Sequence, residues 1–506
     1  MPEFINRAVV IGGGLAGITA ALRLSDAGLA VTLIEGRPRL GGLAFSFKRG
    51  DLTVDNGQHV FLRCCTAYRG FVDRLGASDK VTLQRRMEVP VLDAARHRRG
   101  TSEPLLGTLS RTALPVPLHL ALSLARYPYL SSPERLRVVR AALALRGLAL
   151  DDPALDRQSF GDWLRRYRQS PRTLEALWDL VGVATLNATA DRVSLALAAK
   201  VFKTALLSVP GAADIGWASV PLGEIHHAAA MEALRQGGVD VLLRVRAVEL
   251  KSAEAVPGQQ PARVGSAGSQ EWDASVPPGG GQARHVVKVD GERVPDGGQL
   301  LHADVVVLAL PQDAAADLLP PGALTDQERI RGLGTSPILN VHVIYDRKVL
   351  DRPFVAAIGT PVQWVFDRTT HSGLARQQPN AQYIALSQSA ADDEIDLPVA
   401  ELQGRYLPEL ERLLPAARGA EVLDFFVTRE RTATFDPAPG TAPLRPGART
   451  RIPGLLLAGA WTSTGWPATM ESAVRSGHYA ADEALIALGA RPAGPPSAYE
   501  NGGWPR

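Results

Sequence analysis

Three glycines, in the spacing Gly12-x-Gly14-x-x-Gly17, and one acid, Glu35, 18 residues beyond the last of them, are the residues whose types and spacing most directly specify chemistry. A glycine at the first position permits a tight turn, and one at the second lets main chain approach an anion with no Cβ in the way. One at the third lets a helix pack closely on a strand. A helix beginning there presents free N–H groups and its positive dipole end to a diphosphate. A carboxylate at the tip of the following strand can accept both hydroxyls of a ribose. The elements that must hold these groups are legible. Ala8–Ile11 (AVVI) is a short apolar run suited to a buried parallel strand. Ile18–Ala27 reads as a helix with Ala21, Leu22 and Leu24 on its packing side and Gly28 as its stop, and Ala30–Ile34 as a second strand ending at Glu35. The pattern predicts a βαβ dinucleotide unit.

Directly after Glu35 comes Gly36-Arg37-Pro38-Arg39-Leu40-Gly41-Gly42. A second glycine pair suits a cofactor that stays bound and is wrapped by further backbone. No second strand–GxGxxG–helix unit follows, since Gly332–Gly334 lacks the flanking pattern. One such unit with later discontinuous pieces points to a resident flavin, FAD, in preference to a dissociable nicotinamide.

The rest of the chain sets the frame. At 506 residues it is long enough for two or three domains. Its 55 basic and 52 acidic side chains give a net charge of only +3, so the chain as a whole has no nucleic-acid footprint. Two adjacent cysteines, Cys64 and Cys65, cannot make a disulfide framework. With no apolar stretch of the roughly 18 residues needed to span a bilayer and no signal-peptide pattern, the expectation is a cytoplasmic protein; no metal is expected. Residues 86–224 read as helical, and between Arg111 and Arg172 there are 11 arginines against 5 acids, with Leu136, Val139 and Leu143 on one helical face. Glu224–Arg235 reads as a helix, Val239–Leu250 as one alternating strand, and residues 252–284 as a flexible excursion rich in Gly, Pro and Ser. Asp304–Leu310 and Leu455–Ala458 read as buried strands, Ala468–Leu488 as a long helix, and residues 491–506 as a disordered tail.

At both ends the chain resembles the FAD-dependent amine oxidases and carotenoid or phytoene desaturases, in Val9–Gly42 and in Leu455–Ala481. Within that superfamily it is most similar to the squalene-associated branch, the hydroxysqualene dehydroxylases, on the segments Val54–Tyr68, Leu177–Ser194 and Thr464–Gly477. The resemblance implies an α/β fold: a Rossmann-like FAD-binding domain of the two-dinucleotide-binding type, with an interleaved α+β substrate domain and a helical membrane-facing region. The FAD-binding domain is expected from residues 1–85, 225–312 and 446–490, and the substrate domain from 86–224 and 313–445.

Residue by residue, the resemblance places the FAD diphosphate on Gly12, Gly14, Leu15, Ala16 and Gly17, and the ribose on Glu35. Gly36 and Arg37 would lie along the adenosine, Gly41, Gly42 and Leu43 at the phosphates, and the Val245 main chain at the adenine. Gly57, Gln58 and His59 would line the flavin ring. Gly459 and Ala460 would approach the cofactor, with Pro467, Ala468, Thr469 and Met470 bringing a helix N-terminus to the flavin pyrimidine. The superfamily usually carries an acid where this chain has Ala460.

The implied reaction is reductive removal of the allylic hydroxyl of hydroxysqualene, giving squalene and water in squalene and hopanoid biosynthesis. His59 and Asp55 are the candidate proton donors, and Trp217, Trp364 and Trp466 the candidates for stabilising a transient cation. The implied partners are a hydrophobic C30 isoprenoid, the inner face of the cell membrane as a peripheral docking surface, and the prenyl-synthase enzymes that supply hydroxysqualene. The competing readings are a phytoene-type desaturase, an amine oxidase, and a non-enzymatic escort of prenylated proteins.

Overall fold

A computed structural model describes residues 6–252 and 284–492, except Arg99, Ser102, Arg293 and Asp296. The excursion expected over residues 252–284 lies outside them apart from its two end residues, and the expected tail lies outside them beyond residue 492.

The apolar runs of the sequence assemble one five-stranded parallel sheet. β1 (Arg7–Ile11) lies at its centre, paired with β2 (Ala30–Glu35) on one side and the strand Val305–Leu308 on the other. Asp240–Leu243 and Leu455–Leu457 complete the outer positions. The inner strands are buried on both faces, which is why they read as continuous Val/Ile/Leu runs without alternation. Helix α1 (Leu15–Asp26) connects β1 to β2 and buries Ala21, Leu22 and Leu24, with Gly28 at φ +86° just past its end. The order reverses at β1, so the crevice at its carboxyl end is the position where open α/β sheets bind ligands.

Two sequence expectations give way here. Val239–Leu250 is not one strand: Arg244, at φ +61°, breaks it, so that Leu243 pairs with Glu35 in the parallel sheet. Val245–Ser252 instead joins a separate antiparallel sheet with His285–Gly291 and Gln299–Ala303. A left-handed kink at an arginine leaves no mark in the hydrophobic pattern. Residues 86–224 are not wholly helical either. Glu88–His97 and Pro104–Ser110 are the last two strands of a seven-stranded sheet that also holds Phe354–Ile358, Trp364–Asp367, Gln382–Ser389, Ser336–Tyr345 and Val422–Thr434. They pair with each other as a local antiparallel hairpin, and Glu88–His97 joins the sheet through parallel pairing with Phe354–Ile358, a long-range contact that local periodicity cannot show.

The helices after residue 120 include Ser132–Gly147, opened by a Ser131/Glu134 capping box. It buries Val138, Ala141 and Leu145 and turns Leu136, Val139 and Leu143 outward at 72%, 44% and 51% exposure. The last helix, Met470–Ala487, starts two residues later than expected, because Thr469 is extended and caps it, its hydroxyl accepting from the Ser472 N–H at 3.2 Å. Among the described residues, no helix is long and apolar enough to cross a membrane.

The last helix packs on α1 at near-backbone contact. A Cβ on Gly477 would sit 2.3 Å from the Ala16 carbonyl oxygen. Gly477→Val therefore pushes the two helices apart and is expected to cost about 1–3 kcal/mol of stability, read as a lowered urea midpoint; an unchanged midpoint would contradict this packing.

Candidate active site

The crevice at the end of β1 is built almost entirely of main chain. Gly12 sits at φ +112°, and a Cβ there would lie 2.3 Å from the Ala309 carbonyl oxygen. A Cβ on Gly17 would lie 1.8 Å from the Gly12 carbonyl oxygen, so this glycine sets the closeness of α1 to β1. Gly14 faces open space apart from the Gly42 Cα. The Gly41–Gly42 turn folds back here, the Gly41 N–H donating to Gly13 O at 2.9 Å. No side chain caps the first turn of α1 and no acid lies in it, so its leading N–H groups, including those of Leu15 and Ala16, face the crevice.

Glu35 is fixed beside them. Its carboxylate accepts from the Gly13 N–H at 2.7 Å and from the Arg37 N–H at 2.7 Å, leaving lone pairs on both oxygens. Val245, just past the Leu243–Glu35 pair, puts its main chain at the same end of the sheet. These residues fit a dinucleotide: uncapped amides for the diphosphate, a clear glycine face for its approach, and an oriented acid for the ribose.

Three neighbours carry no sequence motif. Arg246 lies across Gly36, where a Cβ would come 2.9 Å from its Cγ. Arg39 stacks on Phe45, 3.3 Å from the ring centroid, and donates to the Gly42 carbonyl at 3.2 Å. Burial and nearby Arg37 pull its guanidinium down to about 10. His226 packs behind Gly41, held by Tyr68 and the Ala44 carbonyl, each at 2.9 Å, and burial pulls it down to about 4. Leu43 stays exposed, its carbonyl accepting from Asn56 at 2.9 Å.

At the other end of the site, Gly57 approaches Asn340 so closely that a Cβ would lie 3.0 Å from its Nδ2. His59 is half-buried, its Nδ1 3.1 Å from the Gly57 carbonyl, and desolvation lowers its pKa. Gly459, at φ +145°, donates to the Ser476 hydroxyl at 2.8 Å. The Ala460 carbonyl accepts from Ser472 at 3.1 Å. Pro467 is buried, while Ala468, Thr469 and Met470 are half-buried ahead of and at the helix start. Buried Arg445 braces this loop by donating to the carbonyls of Ala460, Trp461, Thr462 and Trp466.

A small pocket of about 30 Å³ lies beside Gln58 and His59. It is lined by Asp55, Gln58, His59, Trp217, Phe354, Phe366, Arg368 and His371 among others. Asp55 is paired with Arg368 at 2.7 Å and also accepts from Ser46 at 2.6 Å and the Leu222 N–H at 2.9 Å. Trp217 and Trp364 belong to one aromatic group around Phe354, at centroid distances of 5.8 and 6.0 Å. Trp466 does not join it. It lies between Lys200 and Arg475, 5.0 and 5.1 Å from its ring, so its faces already meet cations. Arg368, His371, Phe354 and Phe366 were not singled out by sequence, because the seven-stranded sheet gathers them from segments without a motif. A larger cleft next door, about 520 Å³, shares Phe354 but is lined by Arg85, Arg86, Glu88 and Arg352 and does not suit a hydrocarbon.

Cys64 and Cys65 are both free and half-buried. Its hydrogen bond with Cys64, followed by burial, raises the Cys65 thiol well above its usual range, which suits packing and not thiolate chemistry.

The model of the flavin containing amine oxidoreductases matches residues 15–485. The chain belongs to that family. A hydroxysqualene dehydroxylase of Rhodopseudomonas palustris is 29% identical, over 94% of this chain and 98% of its own. A 15-cis-phytoene desaturase of Synechococcus elongatus is 24% identical, over 95% and 96%. Among solved structures, cyclohexylamine oxidase from Brevibacterium oxydans superposes with a TM-score of 0.65 at 18% identity, covering 96% of this chain and 100% of the other. The fold is thus of the flavin amine oxidase type, and this family member is an FAD-dependent oxidoreductase. Gly12–Gly17, Glu35 and the Gly41–Gly42 turn are the groups its geometry offers to the adenosine diphosphate half of FAD.

Glu35→Ala removes both the ribose acceptor and the brace on Gly13. FAD retention after gel filtration, read from flavin absorbance, is expected to fall, with affinity weakened roughly 10- to 100-fold; full retention would remove Glu35 from the cofactor site.

Proposed function

We propose that this oxidoreductase reductively removes the allylic hydroxyl of hydroxysqualene to give squalene and water. The observation that carries this reading is the pocket beside Gln58 and His59, where an aromatic wall meets a buried polar cluster. The bacterial relative named hydroxysqualene dehydroxylase supports it. When bound and reduced, FAD supplies a hydride equivalent. The net reaction breaks one C–O bond, forms one C–H bond and releases the oxygen as water with one added proton.

The protein's residues have distinct tasks in this scheme. Trp217, Trp364, Phe354 and Phe366 surround the reacting carbon with π-faces that favour developing positive charge and keep water out. Asp55 orients Arg368, its carboxylate accepting from Arg368, Ser46 and the Leu222 N–H. His59 is the freer proton carrier of the two, since among the described residues its ring is engaged at Nδ1 alone, by the Gly57 carbonyl.

A C30 polyprene is insoluble, so the reading includes delivery from a bilayer at the cytoplasmic side. Leu136, Val139 and Leu143 are exposed on Ser132–Gly147, as are Leu118 and Leu122 at the adjoining helix Ala121–Arg126. Exposed Arg126, Arg137, Arg140 and Arg146 lie on the same helices and complement an anionic lipid surface. Arg111 and Arg172, the ends of the basic segment, are instead paired with buried Asp214 and Asp93 and face inward.

Two measurements test the reading. Purified protein with reduced flavin is expected to convert hydroxysqualene to squalene, seen by gas chromatography. Bound flavin with no squalene formed, or desaturation of phytoene by the oxidised protein, would overturn the assignment. In vesicle sedimentation, Leu136→Glu combined with Leu143→Glu is expected to weaken binding to anionic vesicles at least about tenfold, given roughly 1.5–3 kcal/mol for each buried leucine; binding equal to the parent's would place docking elsewhere.

A further inference from the structure

Arg445 is buried, and every hydrogen bond of its side chain among the described residues goes to main chain. Its Nε donates to the Trp461 carbonyl at 3.1 Å. One terminal nitrogen reaches three more carbonyls, those of Ala460 at 3.3 Å, Thr462 at 2.5 Å and Trp466 at 2.8 Å. Phe435 faces the guanidinium, its ring centroid 4.5 Å from Cζ. The segment that carries Arg445 is fixed to the same strand and loop, the Leu457 N–H donating to Ala448 O and the Ser463 N–H to Pro446 O, each at 2.8 Å.

The loop so gathered stands at the crevice. Leu455–Leu457 is parallel to Val305–Leu308 and, through it, to β1, so all three strands open at the edge that holds Gly12–Gly17. Trp461 donates to Leu310 O at 2.9 Å, one residue past the Ala309 carbonyl on which Gly12 packs. At its far end the loop runs through Pro467 to Thr469, the cap of the last helix. Because a single nitrogen of Arg445 bonds the carbonyls of both Ala460 and Trp466, the loop is closed, and the place of that helix N-terminus is set.

Carbonyl oxygens converging on one point repel each other and any anion brought beside them. A guanidinium among them cancels that field, and its planar fork of donors fixes their arrangement in a way an ammonium does not. Burial lowers its pKa to about 10, with Asp156 acting in the opposite sense, so the group is charged at neutral pH. Reduction of a flavin adds negative charge to its pyrimidine ring. A helix N-terminus held there, with the nearby carbonyls already matched, favours the reduced form over the oxidised one.

We infer that Arg445 is a positioning residue for the flavin half of FAD, holding the loop and the helix N-terminus where they favour the reduced cofactor. The inference rests on the FAD assignment and not on the choice of substrate. It divides the labour of the site: Glu35 and the glycines serve the half of the cofactor that redox chemistry leaves unchanged, and Arg445 serves the half that it changes.

The test is the midpoint potential of the bound flavin, read anaerobically on the FAD-loaded protein against a reference dye. The potential reports the ratio of affinities for reduced and oxidised flavin, so a change that weakens both alike leaves it unmoved. Arg445→Met is expected to lower it by about 30 mV or more, equivalent to a tenfold loss of preference for the reduced form. Arg445→Lys, which keeps the charge but not the fork, is expected to fall between. Glu35→Ala is expected to weaken flavin retention at the parent's potential. An Arg445 variant that keeps its flavin at the parent's potential overturns the inference, as does an equal shift in Glu35→Ala. Should both Arg445 variants shed their flavin, urea unfolding beside flavin-stripped parent decides: an equal midpoint supports a role confined to the cofactor, and a lowered one assigns Arg445 to stability and overturns the inference. A parent that holds no flavin refutes the FAD assignment itself.

Discussion

The approach of main chain to main chain at Gly12, Gly14 and Gly17 is the constraint on which the rest of this molecule depends. A single added Cβ at Gly17 would overlap the Gly12 carbonyl, so the helix reaches the sheet only without one. That closeness brings the uncapped turn of α1 to the end of β1, where its amides and dipole are worth most to an anion. Gly477 repeats the device on the other side of α1, letting the last helix settle against Ala16. The N-terminal and C-terminal ends of the chain are thereby locked to one crevice, and the residues from 459 onward acquire a fixed position relative to those from 12.

Buried charge does a second kind of work. Glu471, only 1% exposed, accepts from the Ala67 and Tyr68 N–H groups and from Arg475, tying the last helix to the start of Thr66–Arg74. Asp214 holds Arg63 and Arg111, and Asp55 holds Arg368, across separations of 151, 103 and 313 residues in the chain. Such pairs add little net stability once desolvation is counted, but losing one partner leaves an unmatched charge. Their effect is to tie the small hairpin that ends at Asp55, and the strand Ile215–Ala218 that follows Asp214, to segments flanking the seven-stranded sheet. Arg445 plays a related part at the loop after Gly459. With alanine at 460, where an acid is usual in the superfamily, four backbone carbonyls are gathered by one guanidinium, whose burial lowers it to about 10.

The crevice at the end of β1 was legible in the sequence because local spacing encodes it. Glycines at 12, 14 and 17, a carboxylate at 35 and a glycine pair at 41–42 each do their work within a few residues of a strand end, and the parallel strands announce themselves as uninterrupted apolar runs. The turn at Arg244 and the strands Glu88–His97 and Pro104–Ser110 were not legible. The first is a conformation that arginine rarely marks; of the others, Glu88–His97 is placed by its pairing with distant Phe354–Ile358 and carries its hairpin neighbour Pro104–Ser110 with it. Likewise Leu136, Val139 and Leu143 show their spacing in the sequence, but not which face of their helix the protein turns to the outside.

Sequence alone therefore determined the βαβ unit, the kind of cofactor and the family likeness, because each rests on short-range geometry that glycine, an acid and an apolar run impose by themselves. Only the tertiary structure decided which residues share the pocket with His59. Arg368, His371, Phe354 and Trp217 meet there because strand pairing and buried ion pairs bring distant segments together, and no spacing along the chain records that encounter.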